Sequence, residues 1–274
     1  MSHTTVTYKG SVEQRIDMRW LSKVITLSLD SEQILKETIA IGNQQTTIGE
    51  LFNISGDNTS SDYVLENATQ KMDYIGHALT QSNTLTVMGD CGFYTGAQLL
   101  GGRIKIEGNT HDFSGCGMSK GLIEVSGNCG NHTGSAFTGG KKGMSGGTIL
   151  VHGNSGNFTG ELMRRGLIMI VGDIGDHCAN RMIAGTITNL GATGKHVGAG
   201  MKRGTLLFPH KPENISPGFH DCGRHSLGYL TLLLHEIRRF KSAFQSLHPM
   251  RRRVQRYIGD TTVEGQGELL VWIG

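Results

Sequence analysis

The sequence predicts an all-β fold: a right-handed parallel β-helix, a solenoid of Gly-rich units of about 19 residues, with an N-terminal β cap and a C-terminal amphipathic helix. Three observations carry the prediction. Glycine recurs in register, in the columns Gly89, Gly108, Gly127, Gly153, Gly172, Gly191 and Gly102, Gly121, Gly147, Gly166, Gly185, Gly204. Ahead of the first column stand two apolar columns, Leu85, Ile104, Ile123, Ile149, Ile168, Ile187 and Val87, Ile106, Val125, Val151, Ile170, with mixed residues between them. That alternation is a short strand with one buried face, and its β-branched residues suit a strand. Finally, 41 glycines among 274 residues against 4 prolines, without a triplet period, fit tight turns repeated many times and argue against collagen.

On this reading residues 1–61 form an N-terminal capping region, with strand-like runs over 24–29 and 46–54, that shields the first edge of the stack. Residues 62–208 are the repeat domain. Its first unit, over 62–76, is degenerate, with Ile75-Gly76-His77-Ala78-Leu79 echoing Thr95-Gly96-Ala97. The first glycine column steps by 19, 19, 26, 19 and 19 residues, and a column of Gly96, Gly115, Gly134, Gly160, Ala179 and Gly198 takes the same steps. All columns agree on a seven-residue insertion after Gly134 and before Gly147, around Gly139-Gly-Lys-Lys-Gly-Met144. After each glycine of the first column comes Asp90, Asn109, Asn128, Asn154 or Asp173, and then Ala192. Asx residues there make the turn and can bond one another along the stack. Two more columns read as inward-facing: the small Thr95, Ser114, Thr133, Thr159, Cys178, Val197 and the large Leu99, Met118, Phe137, Met163, Met182, Met201. One unit cannot bury its apolar face alone, and stacking does so against its neighbours. A left-handed helix of the hexapeptide type would show a six-residue sub-repeat, which is absent, so the right hand is expected. Ala179, Asn189 and Ala192 depart from their columns and mark the fifth and sixth units as less regular.

Residues 209–274 form a C-terminal helix and tail. The repeat stops at Pro209, Pro212 and Pro217. Over 226–247, Leu227, Leu230, Leu233, Leu234, Ile237, Phe240 and Phe244 fall at helical spacing, an amphipathic helix that lies on the flank of the stack, meets a partner, or does both. The tail from Gly265 to Gly274 adds one last strand.

Composition excludes several functions. A formal net charge of +3 with no long Lys/Arg block gives no nucleic-acid stripe, and Arg251, Arg252, Arg253 and Arg256 read as a solvated or partner-facing cluster. The longest apolar stretch, over 230–234, is too short to span a membrane, and no N-terminal segment reads as a signal peptide. Five cysteines, Cys91, Cys116, Cys129, Cys178 and Cys222, lack any C-x-x-C and read as reduced thiols of a cytoplasmic protein. His177 and His196 share a column with Tyr94, Phe113, His132 and Phe158, which reads as a stacking ladder before it reads as a metal pair. Gly139-Gly-Lys-Lys-Gly and Gly191-Ala-Thr-Gly-Lys195 do not match a phosphate-binding loop. Asp112 and Asp176 share a column but stand three units apart. No catalytic, cofactor-binding or metal residue is therefore expected in this chain. What does suggest function is the outward face. Leu150, Met169, Val171 and Leu190 occupy columns that hold Thr, Lys, Glu and Ser in earlier units, and such an apolar flank reads as a partner interface.

The units, above all Leu162-Met-Arg-Arg-Gly166, Met182-Ile-Ala-Gly-Thr186 and Gly200-Met-Lys-Arg-Gly-Thr205, resemble the C-type subunit of formylmethanofuran dehydrogenase and its counterpart in the related bacterial formyltransferase/hydrolase complex. They also resemble the C-terminal glycine-motif domain of the glutamate synthase large subunit. The resemblance covers about residues 62–208, with Ile41-Gly-Asn43 and Ile48-Gly-Glu-Leu-Phe52 fitting more loosely. It implies a right-handed β-helix without an active site, a non-catalytic structural subunit. Its partners would be an amidohydrolase-like, a formyltransferase and a dehydrogenase-like subunit. Those would handle methanofuran and tetrahydromethanopterin derivatives and hold the metals, transferring a formyl group and hydrolysing it to formate. The archaeal assembly, which makes formylmethanofuran from carbon dioxide with a molybdenum or tungsten cofactor and iron–sulfur clusters on other subunits, is the alternative. The tail Tyr257-Ile-Gly-Asp260 to Gly265-Gln-Gly-Glu-Leu269 favours the bacterial form. A free-standing β-helix that binds or cleaves polysaccharide is the reading from another class. It needs an aromatic-lined groove and secretion, whereas aromatics are only 6% here.

Overall fold

The computed structural model describes residues 3–10, 12–27, 31–56, 61–80, 83–248 and 250–273. In chain order the elements are β1 (Thr4–Tyr8), β2 (Ile16–Asp17), α1 (Arg19–Leu27), α2 (Ser31–Lys36), β3 (Thr38–Ile41), β4 (Gln44–Thr47), α3 (Ile48–Leu51), β5 (Phe52–Ser55), β6 (Asp62–Ala68) and β7 (Met72–Asp73). There follow β8 (Thr84–Gly89), β9 (Arg103–Ile106), β10 (Leu122–Val125), β11 (Ser145–Val151), β12 (Arg165–Ile170), β13 (Thr186–Asn189) and β14 (Thr205–Phe208). The chain ends with β15 (His220–Ser226), α4 (Tyr229–Ile237), β16 (Arg253–Gly259) and β17 (Gly267–Trp272).

These strands form two sheets, and the expected right-handed parallel β-helix is corrected by them. Thirteen strands make one mixed sheet in the order β15-β16-β17-β14-β13-β12-β11-β10-β9-β8-β6-β1-β5, and β4-β3-β2-β7 make a second. The strands from β1 to β17 within this order pair in parallel, while β5, β16 and β15 join antiparallel at the two ends. The physical reason lies inside each unit. Only one segment, such as Arg103–Ile106 or Leu122–Val125, is extended long enough to be a strand. The rest is turn, with left-handed backbone at Tyr94, Gly96, Gln98 and Gly102 in one unit. Away from the sheet, neighbouring units share no further strand, and are joined by the single bridges Cys91↔Thr110↔Cys129↔Ser155↔Ile174↔Thr193 and by hydrogen bonds from turn to turn.

The register read from the glycine columns is the register of the sheet. Leu85 pairs with Ile104, Ile104 with Ile123, Ile123 with Ile149, Ile149 with Ile168, Ile168 with Ile187 and Ile187 with Leu206. All are fully buried, as is the small column from Thr95 to Val197. The hydroxyls inside find partners: Ser114 donates to Thr110 Oγ1 at 2.7 Å, and Ser155 Oγ lies 2.7 Å from Thr159 Oγ1. The large column needs one change, because Met144 fills it and Phe137 does not. The Gly117 N–H donates to the Ser135 carbonyl and the Gly143 N–H to the Leu162 carbonyl. Ser135 and Gly143 therefore take adjacent columns, and the seven inserted residues are 136–142. Phe137 is carried outward with them, its ring stacked 5.6 Å from that of Tyr94.

The Asx column is a hydrogen-bonded ladder. Oδ1 of Asp90, Asn109, Asn128, Asn154 and Asp173 accepts the backbone N–H of Asn109, Asn128, Asn154, Asp173 and Ala192 in turn, at 2.7–2.8 Å. Ala192 receives a bond and cannot pass one on. There Asn189, buried, closes the turn by donating to the carbonyls of Gly191 and Ala192, both at 2.9 Å. A second ladder, unrecognised in the sequence, runs from Asp112 through Asn131, Asn157 and Asp176 to the Lys195 N–H at 2.7–2.8 Å.

Both ends differ from expectation. Of the strand-like run over 24–29, Val24 to Leu27 belong to helix α1, and residues 28 and 29 lie outside the described residues. Trp20, Leu21, Val24 and Ile25 fall on one helical face, and all are buried. At the other end the tail does add a strand, β17, parallel to β14. The helix expected over 226–247 is α4 alone, followed by a short 3-10 turn at Ala243–Ser246, and Ser226 belongs to β15. No helix among the described residues is long and apolar enough to cross a membrane.

Candidate interaction surface

The polar side chains of the repeat are largely committed to holding it together. The column with His177 and His196 is a stack of seven rings, Tyr74, Tyr94, Phe113, His132, Phe158, His177 and His196, with successive centroids 4.7–4.9 Å apart. His177 and His196 lie 4.8 Å apart and nearly parallel, so their faces meet, as the ladder reading requires. Asp112 and Asp176 belong to the second Asx ladder. Among the described residues no group of three or more His, Cys, Asp or Glu converges on a metal position.

The apolar flank is covered by the chain itself, which corrects its reading as a partner interface. Leu150, Leu167 and Met169 pack against Ile237 of α4 and Phe244 of the following turn, with Val171, Leu190, Leu233, Phe240 and Leu247 around them. Farther along, Leu207, Leu270, Val254 and Trp272 receive Leu230 and Leu234. The Tyr229 hydroxyl donates to Glu268 of β17 at 2.8 Å, and Arg256 pairs with the same carboxylate. Burial and that neighbouring charge push the Tyr229 hydroxyl well above its usual range.

Beside α4 the sheet leaves a groove of about 660 Å³, lined by Arg103, Lys105, Glu124, Leu122, Phe240 and Lys241 among others. Burial would raise the Glu124 carboxyl, but the bonds from Arg103 and from His152 at 3.2 Å outweigh it and hold it below its ordinary value. At the turn into β17, Asp260 is buried and accepts the Gly200 N–H at 3.0 Å, the Ser216 hydroxyl at 2.7 Å, and the Thr262 N–H and hydroxyl at 3.0 and 2.7 Å. Burial works against its charge, and these four donors win, lowering it to about 2.

A second cleft, of about 310 Å³, opens where the chain turns into β12, β13 and β14. It is lined by Arg164, Arg165, Ile183, Ala184, Lys202 and Arg203. The N–H groups of Arg164, Ile183 and Lys202 donate to the Met144, Met163 and Met182 carbonyls at 2.7–2.8 Å, so the three residues occupy one column in successive units. The four cations are exposed. The signal was present in the sequence as two basic pairs directly before Gly166 and Gly204, with a neutral pair before Gly185 between them.

The GXGXG motif family matches residues 21–219. No curated protein matches the chain. Among solved structures, the X-ray crystal structure of the formyltransferase/hydrolase complex (FhcABCD) from Methylorubrum extorquens in complex with methylofuran holds a similar chain. The two superpose with a TM-score of 0.90 at 32% identity, over 98% of this chain and 100% of that one. A family match across most of the repeat, together with a chain of the same fold and length at that identity, shows that the protein belongs to the GXGXG motif family, among the chains like the C-type subunit of formylmethanofuran dehydrogenase.

Proposed function

We propose that the protein is a structural, non-catalytic subunit of a formyltransferase/hydrolase complex, in which partner subunits transfer a formyl group from a tetrahydromethanopterin-type carrier to a methanofuran-type carrier and hydrolyse it to formate. The observation that carries this reading is the likeness to one chain of such a complex, over 98% of this chain and 100% of that one. The fate of the polar residues supports it: two Asx ladders, a ring stack and buried hydroxyl pairs use them as fastenings between units. On this reading the metals and the carriers belong to an amidohydrolase-like, a formyltransferase and a dehydrogenase-like subunit, and the assembly works in the cytoplasm.

The test is to tag the chain in its native host, recover what copurifies, and assay the recovered assembly and the isolated chain for formyl transfer and for formate release. The expected result is a multi-subunit assembly that turns over and an isolated chain that does not. A chain that is recovered alone, or that turns over the carriers by itself, would overturn the proposal.

A further inference from the structure

The cleft between β12 and β14 has the form of a cationic clamp. Arg164 and Arg165 stand in one unit, Lys202 and Arg203 two units on, and the small or neutral Ile183 and Ala184 lie between. With about 4.8 Å per layer, the two cationic rows are roughly 10 Å apart. That exceeds the Debye length of about 8 Å at physiological salt, so the rows tolerate each other while an anion seated between them feels both. Several arginines elsewhere on the chain are neutralised in place, among them Arg103 by Glu124, Arg181 by Glu161 and Arg256 by Glu268. Arg164, Arg165, Lys202 and Arg203 are exposed, and among the described residues none makes a side-chain hydrogen bond or ion pair.

We propose that this cleft receives an acidic segment of a partner subunit, bearing carboxylates on either side of a small residue that rests on Ile183 and Ala184. Two features, the floor and the spacing of the rows, favour a protein segment, and a third, the guanidinium groups, suits carboxylates and phosphates alike. The floor is neutral and partly apolar, which suits a backbone passing over it. The guanidinium groups offer fork geometry to carboxylates. In an extended segment, residues two to four positions apart span roughly 7–13 Å, which brackets the separation of the rows. The inference rests on the reading of the chain as a subunit, and adds to it where one partner docks and by what chemistry.

The experiment uses the tagged full chain in its host. Wild type is compared with a fourfold neutral variant, Arg164→Gln, Arg165→Gln, Lys202→Gln, Arg203→Gln, and with a charge-conserving variant, Arg164→Lys, Arg165→Lys, Arg203→Lys. Partner recovery is measured at low salt and at several-fold higher salt, and folding by thermal unfolding. The expected result is a loss of at least tenfold in partner recovery for the neutral variant at unchanged thermal unfolding. The lysine variant should keep most of its recovery, and wild type should release partners as salt rises. Equal recovery and equal salt dependence for the neutral variant and wild type would overturn the clamp while leaving the subunit reading intact, whereas a wild type that recovers no partner would overturn that reading first. Should the neutral variant misfold, the salt dependence of wild type and the lysine variant still decides: recovery indifferent to salt overturns the proposal. Tripolyphosphate serves as the probe for a small-molecule occupant. If it stabilises wild type and not the neutral variant while assembly is unaffected, the cleft holds a free polyanion and the proposal is wrong.

Discussion

Asp260 and the buried cysteines show how single residues depend on their surroundings. Asp260 is charged in the fold because four donors face it, and no basic residue is needed. Its folded value of about 2 lies below the ordinary 3.8, so its contribution to stability is present above about pH 4 and is lost as pH falls through about 2. Asp260→Asn is expected to cost about 1–3 kcal/mol near neutral pH. The difference from wild type should shrink between about pH 4 and pH 2, as measured by denaturant unfolding across that range; a pH-independent difference would contradict this assignment. Burial pushes the Cys116 and Cys178 thiols up to about 12 and Cys129 to about 11, and Cys91 higher still. Only Cys222, on β15, is exposed. A thiol reagent at pH 8 is therefore expected to label one cysteine rapidly in the folded chain and all five after denaturation, with Cys222→Ser removing the rapid phase.

At the scale of elements, α4 and the turn after it act as a cover over a flank that would otherwise be sticky. The cover is held by its inner face. Phe244, Ile237, Leu234 and Leu230 are fully buried, whereas Leu232 on the outer face is 76% exposed. Phe244→Ala is expected to destabilise by about 3–5 kcal/mol and Leu232→Ala by less than about 0.5 kcal/mol, as read from urea midpoints at constant slope. A similar cost at both positions would mean that the cover is not seated on Leu150 and Met169. Between units, the close approach of the turns to the strands leaves little freedom. Gly160 has left-handed backbone, and a Cβ there would come within 2.3 Å of Ile187 Cδ1. Ala179 occupies the equivalent place one unit on, also at positive φ, so that unit accepts a methyl group, whereas at Gly198 in the next a Cβ would come within 2.8 Å of Phe219 Cε2.

For the whole molecule, one continuous sheet of 13 strands joins the first described strand to the last. The C-terminal strands are thus part of the main sheet. Removing residues 209–274 would expose the β14 edge together with Leu150, Met169 and Leu207. The truncated chain is expected to aggregate, measured as light scattering at concentrations where the full chain stays dispersed. Covering its own flank also changes where partners can dock. The apolar columns of the flank are occupied from within, and the cleft at Arg164 and Arg203 stays open to solvent.

The sequence by itself determined the strand register, the site of the insertion, the inward columns apart from Phe137, and the presence of a last strand, but not the architecture, which is a mixed sheet where the columns suggest a right-handed parallel β-helix. The physical reason for what it determined is that each unit packs on a near-copy of itself, so a correlation at a fixed spacing in the chain is already a contact in space. Even the exchange of Phe137 for Met144 follows from counting back from Gly147 rather than forward from Gly127. Tertiary structure alone decided what is not repeated: the antiparallel strands at both ends, the helices near the N-terminus, and above all that α4 lies on Leu150 and Met169. Those contacts join unlike segments far apart in the chain, where no internal copy states the pairing. An apolar column and an amphipathic helix can each be recognised alone, and only the folded chain brings one onto the other.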